Sequence, residues 1–106
     1  GSSDDIAFLP FGSDYAQSIT VTNTGALEGA IIVDLTAEGQ TYTKTLTATA
    51  SAESVTNISL EVAAFAAESG ITGNARIKVV VNAPANNIAV KGLYYHKPTA
   101  DRVLTY

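Results

Sequence analysis

The residues with chemistry to offer are few and far apart. The stretch Asn23–Gly29 (NTGALEG) holds two glycines that invite comparison with a phosphate loop. Such a loop presents successive backbone N–H groups at a helix start, usually with a lysine and a hydroxyl following. Here the residues that follow, AIIVDL, alternate as a strand does; there is no lysine, and Glu28 would repel an anion. The stretch therefore reads as a corner between strands. His96 is the only histidine and cysteine is absent. A nucleophilic triad needs a base near a hydroxyl or thiol and a group to orient it, and structural zinc needs about four His or Cys ligands. A lone His96 beside Tyr95 and Lys97 reads as surface. Calcium stays open, because Asp4, Asp5 and Asp14 flank strand ends and could supply oxygens, although no D-x-D-x-D-G loop is present. No other cofactor is expected.

Three further features have a bland and a sharp reading. Thr41, Thr43, Thr45, Thr47 and Thr49 form a row of hydroxyls and methyls on one strand face. Threonine is favoured on exposed strand faces, so an ice- or glycan-binding surface is the sharper alternative. Lys44 lies on the opposite face among apolar neighbours, where an inward lysine guards an edge strand against unwanted pairing; an isopeptide crosslink is the alternative. Asn57-Ile58-Ser59 matches a glycosylation acceptor, which matters only in a secretory host.

The elements that position these groups follow from alternation, the mark of half-buried strands. SITVTN turns Ile19 and Val21 to one side. AIIVDLTAEG does so with Ile31, Val33 and Leu35, and ARIKVVVNA with Ile77, Val79 and Val81. QTYTKTLTAT sets Tyr42, Lys44, Leu46 and Ala48 against the threonines. Together with SDDIAFLPF, ESVTNISL, NIAVKGLYYHK and DRVLTY, this predicts seven or eight short strands, the pattern of a sandwich. Gly39 in AEGQ suits a tight hairpin needing positive φ. Of Tyr94 and Tyr95, on opposite faces of one strand, one should enter the core. SLEVAAFAAESG breaks the period and reads as a short helix near residues 60–69 that crosses between sheets over the core. Ser59 is expected to cap it, Gly70 to end it with Ile71 as apolar partner, and Leu60, Ala63, Ala64 and Ala67 to form its apolar face.

The chain of 106 residues predicts a single domain, 1–106, with residues 1–11 an N-terminal extension or donated strand. Gly1 in place of an initiator methionine predicts a removed signal peptide or, at Gly1–Ser3, a cloning remnant. No apolar run approaches a membrane span. The net charge of −4 argues against nucleic acid as a partner. Residues 1–70 hold nine acids and one base, whereas residues 71–106 hold five bases and one acid. Either the two parts interleave in the fold, or the subunit is polar and its acidic end meets the basic end of a neighbour.

SITVTNTGALEGAIIVDL resembles the strand–corner–strand of bacterial extracellular immunoglobulin-like or fibronectin-III-like modules, and ARIKVVVNAPANNIAVKGLYY is similar to their closing strand pair. The resemblance covers under half the chain, lacks the immunoglobulin Cys pair and core Trp, and carries no catalytic residues. It implies an all-β, immunoglobulin-like two-sheet sandwich.

The expectation is a non-enzymatic structural protein of the cell exterior. It would be a subunit of a surface filament or an adhesive module assembling head to tail with copies of itself or neighbouring surface domains. The expected interface comprises Ile6, Phe8, Leu9 and Phe11 of a donated strand, Arg76 and Lys78, Lys91, Leu93 and Tyr95, and Val103. The alternatives are a carbohydrate-binding accessory module, which would want an exposed aromatic platform, and a virion decoration or tail domain.

Overall fold

Alternate residues marked as apolar in the sequence are the ones withdrawn from water. Ile19 and Val21, Ile31, Val33 and Leu35, and Ile77, Val79 and Val81 are all fully buried. Each such side chain contributes on the order of 1.5–3 kcal/mol of burial. A computed structural model shows the strands that carry them. These are β1 (Ser2–Pro10), β2 (Tyr15–Asn23), β3 (Gly29–Ala37), β4 (Gln40–Ala50), β5 (Ser54–Asn57), β6 (Asn74–Val81), β7 (Ile88–His96) and β8 (Asp101–Thr105). Between β5 and β6 lies helix α1 (Ser59–Glu68). The structure describes the backbone of residues 2–12, 14–96 and 101–105, and the side chains of 2–6, 8–12 and 14–96.

Two four-stranded antiparallel sheets, β1-β6-β3-β4 and β5-β2-β7-β8, enclose the core. The all-β sandwich is as expected, but its strand order is not the immunoglobulin one. There the first two strands are neighbours in one sheet. Here β1 and β2 lie in opposite sheets, β1 pairing with β6 and β2 with β7. The first two strands are thus zipped along both strands of a distant pair.

That zipper interleaves the charges. Asp5 forms an ion pair with Arg76 at 3.3 Å, and Lys78 stands in register between Asp5 and Asp34. The acidic and basic parts of the chain lie side by side in this sheet rather than at opposite poles.

Two irregularities break the alternation. In β1 the register shifts between Ile6 and Leu9, so Ile6 and Leu9 both face inward and Phe8 is left 41% exposed. In β4 the register shifts where Ala30 and Ile32 of β3 pair with Thr49 and Thr45. The β3–β4 hairpin turns through Glu38 and Gly39, both at positive φ, as a two-residue turn matching the strand twist requires.

Helix α1 connects the two sheets and covers the core, but not as its capping pattern indicates. Ser59 does not cap it: the Ser59 hydroxyl accepts the backbone N–H of Ile19 at 2.8 Å, and Asn57 Oδ1 accepts the N–H of Ser59 at 2.9 Å. Ile58 occupies the cap position, with no side-chain cap bond. The buried face is Val62, Phe65 and Ala66, while Leu60 is 88% exposed. The C-terminal end is as expected. Gly70 sits at φ 76° and donates to Ala67 O, and the buried Ile71 donates to Ala66 O, the double bond of a Schellman ending.

Candidate functional site

The corner Asn23–Gly29 is a structural node and not a loop for a ligand. Asn23, 1% exposed, donates through Nδ2 to Leu27 O (2.8 Å) and Ala50 O (3.0 Å), and its Oδ1 accepts the N–H of Gly25 (2.9 Å). One amide therefore ties the corner to the end of β4, with its oxygen and both donors engaged.

His96 packs against the Tyr15 ring, with centroids 4.9 Å apart, beside a chain of rings in which Tyr15 and Phe8 each meet Tyr94 at 6.0 Å. Of Tyr94 and Tyr95, Tyr94 is the one that packs on the core. These rings are tilted or edge-on to one another and do not form a flat platform. Among the described residues no group of three or more His, Asp or Glu side chains could hold a metal ion. No helix of the described residues is long and apolar enough to cross a membrane.

The most organised polar cluster joins α1 to β4, the outermost strand of its sheet. The Glu61 carboxylate accepts the N–H of Thr47 (2.6 Å), the Thr47 hydroxyl (2.9 Å) and the N–H of Ala48 (3.2 Å). The Thr47 N–H, with that of Ala48, the Thr47 hydroxyl and the charge of Lys44, holds the Glu61 carboxyl below its ordinary value of 4.5, against a smaller opposing effect of burial. Two turns further along, Glu68 pairs with Lys44 at 3.2 Å, and the Lys44 ammonium lies 6.0 Å from the Phe65 ring centre. Lys44 thus sits in the inward row of an edge strand, as its pattern indicates, and the helix supplies its counter-ion.

Glu61→Gln is expected to lower stability by about 1 kcal/mol at neutral pH, because part of a charge-assisted set of bonds is lost. Its folded pKa is depressed, so its contribution is complete above the unfolded value and disappears as pH falls through the folded one. Urea midpoints of the two proteins should therefore converge on acidification. A gap that stays constant from neutral pH down to about pH 2 would contradict the clamp.

The residues expected at an interface fall into three places. Ile6, Leu9 and Phe11 belong to this chain's own core, with Phe8 outside it. Strand β1 pairs within its own chain, so its inward side chains are already seated. Arg76 and Lys78 lie on the outer face of one sheet, in a shallow depression with Asp5, Asp34, Thr36 and Thr41. Lys91, Leu93 and Tyr95 lie on the outer face of the other, aligned with Thr20, Ser18 and Ala16 of β2. There Leu93 and Tyr95 border a shallow depression of mixed polarity, shared with Ala16, Gln17 and Ser18. The backbone of Val103 pairs with Tyr94, and its side chain lies outside the described residues. The role of Glu61 was hidden in the sequence. Its only local signal is an acid in the first turn of a helix, which points to the helix end and not to a neighbouring strand.

The described residues thus define an all-β, two-sheet sandwich with one short helix closing it. The chain belongs to the S-layer protein Slr4 family, which matches residues 1–102. No curated protein and no solved structure matches it. Membership makes this a structural protein of the cell surface.

Proposed function

We propose that this chain is a non-enzymatic, self-associating module of a surface layer. The observation that carries the reading is the family match across residues 1–102, nearly the whole chain. The outer faces of the sheets support it. A lattice needs at least two different contacts per copy, because a single isologous contact closes on itself as a dimer. The face bearing Lys91, Leu93 and Tyr95 serves as one of them. Its two large side chains rise beside the small Ser18 and Ala16, and Lys91 is its charged group among β2 and β7. The interface is a property of folded faces, with Ile6, Leu9 and Phe11 retained in the core of each copy. Arg76 and Lys78, already facing Asp5 and Asp34, contribute to a second face without giving the subunit a basic pole.

Light scattering across a concentration series, with negative-stain microscopy of the concentrated protein, tests this. Reversible growth into ordered sheets or fibres is expected. Leu93→Asp should weaken association at least about tenfold, the effect of ~1.4 kcal/mol lost at an interface, with unchanged circular dichroism. A chain that stays monomeric at millimolar concentration refutes self-association. Unaltered assembly of Leu93→Asp moves the contact off this face.

A further inference from the structure

The four strand edges of the sandwich are managed unequally. A strand edge presents unpaired N–H and C=O groups and templates pairing with another chain unless it is blunted. Strand β1 is blunted by its bulge and by Pro10, which has no donor. Strand β5 is only four residues long and β8 only five. Strand β4, with eleven residues, is the longest in the chain, and its outer edge is protected over only part of its length.

The protected part is the C-terminal one. Glu61 takes the N–H groups of Thr47 and Ala48, and Thr49 O accepts from Thr56 Oγ1 and from the N–H of Ser51. The protection stops there. In a two-residue hairpin the residues flanking the turn, Ala37 and Gln40, form the closing hydrogen-bonded pair, so Gln40, Tyr42 and Lys44 point their backbone groups at β3. Thr41, Thr43 and Thr45 then point theirs away. The side chains agree with this phase, since the Thr36 and Thr41 hydroxyls touch at 2.9 Å and Thr43 Oγ1 donates to Asp34 at 2.6 Å. Such cross-strand proximity belongs to the pairs that do not exchange backbone bonds. Among the described residues no other group reaches the outward backbone of Thr41, Thr43 or Thr45.

We propose that Thr41–Thr45 is a docking edge for the same segment of a second copy, forming an antiparallel, two-fold β4–β4 junction. This deepens the self-association reading and rests on it. One register pairs all three of its outward residues. With Thr43 opposite Thr43 of the second copy, Thr41 meets Thr45, and all three outward residues on each side exchange backbone bonds, about six in all. Lys44 then falls opposite Tyr42 and not opposite another Lys44. Centring the pair on Lys44 would juxtapose like charges. Centring it on Thr45 would call on the Thr47 N–H that Glu61 already holds. Two four-stranded sheets become one of eight strands, and the threonine row continues across the junction. Glu61 thereby confines pairing to a short stretch and fixes where it starts.

Cysteine scanning in the 106-residue chain tests the register, because the chain has no cysteine of its own. Residues facing each other in a hydrogen-bonded pair have Cα atoms about 5.5 Å apart, within reach of a disulfide. Thr43→Cys should form a covalent dimer on mild oxidation. Thr41→Cys and Thr45→Cys should each stay monomeric alone and crosslink when mixed. Thr43→Pro, which removes an outward N–H and leaves the β3 ladder intact, should weaken association at least about tenfold, whereas Thr43→Val should not. If wild type self-associates while Thr43→Cys does not crosslink, the edge proposal falls and self-association stands. If wild type remains monomeric at millimolar concentration, both fall.

Discussion

Asn23→Ala is expected to destabilise the fold by about 3 kcal/mol, a large share of the stability of a small domain. The side chain is 1% exposed and its bond to Ala50 O is buried, so that carbonyl has no water to turn to when the amide is removed. Leu27 O, Ala50 O and Gly25 N–H would each lose a bond of 2.8–3.0 Å. A single hydrogen bond contributes only about 1 kcal/mol net, but a buried group left without its partner costs more. The loss also loosens a corner on which two connections depend, because Glu53 donates to Gly25 O and Thr24 to Asn87 O from the same turn. Asn23→Asp keeps the acceptor for Gly25 and sets a carboxylate against two carbonyl oxygens, so it should be at least as damaging at neutral pH. Thr24→Ala, which removes one exposed bond of 3.3 Å, is the control and should stay within about 0.5 kcal/mol. Urea unfolding followed by far-ultraviolet circular dichroism measures all three. An Asn23→Ala midpoint indistinguishable from the control would show that the corner is held by its neighbours instead.

How much of this was legible in the chain depends on the range of the interaction. Period-two alternation is local, and it placed Ile19, Val21, Ile31, Val33, Leu35, Ile77, Val79 and Val81 on their buried faces without reference to any partner strand. The Glu38–Gly39 hairpin and the Gly70 ending were legible for the same reason, since backbone sterics act within a few residues. Strand order is non-local. Nothing in SDDIAFLPF says that it lies against ARIKVVV and not against SITVTN. Bulges were illegible too. Ile6 and Phe8 alternate perfectly in sequence, and only the pairing with β6 sends Phe8 outward and Leu9 inward. Ile6, Leu9 and Phe11 show the consequence. A strand rich in Ile, Phe and Leu near a terminus looks available to a neighbour until its own sheet is seen to use it.

The helix face is the sharpest case, and it leads to the second large effect. Phe65→Ala is expected to cost about 3–5 kcal/mol, the range for truncating a buried aromatic in a packed core. Leu60→Ser, one of the residues expected on the apolar face, should change stability by no more than about 0.5 kcal/mol, because Leu60 is 88% exposed. An alanine-rich helix offers two apolar stripes of similar weight, and composition does not choose between them. The choice is made by what lies beneath. Ile58 is tied by its N–H to Ile19 O and accepts from Val62, which fixes the rotation of the first turn, and the buried Ile71 fixes the last. Between those anchors Val62, Phe65 and Ala66 can only face the sheets. Phe65 also lies beneath the Lys44 ammonium, so its loss removes the apolar floor under the Lys44–Glu68 pair. Phe65→Leu should recover most of the loss by refilling the space, while Lys44→Met should cost less than Phe65→Ala, since an exposed ion pair contributes little. Equal unfolding midpoints for Phe65→Ala and Leu60→Ser would mean that the helix does not close the sandwich with this face. The Glu61 clamp on β4 would then need another means of being held against the strand.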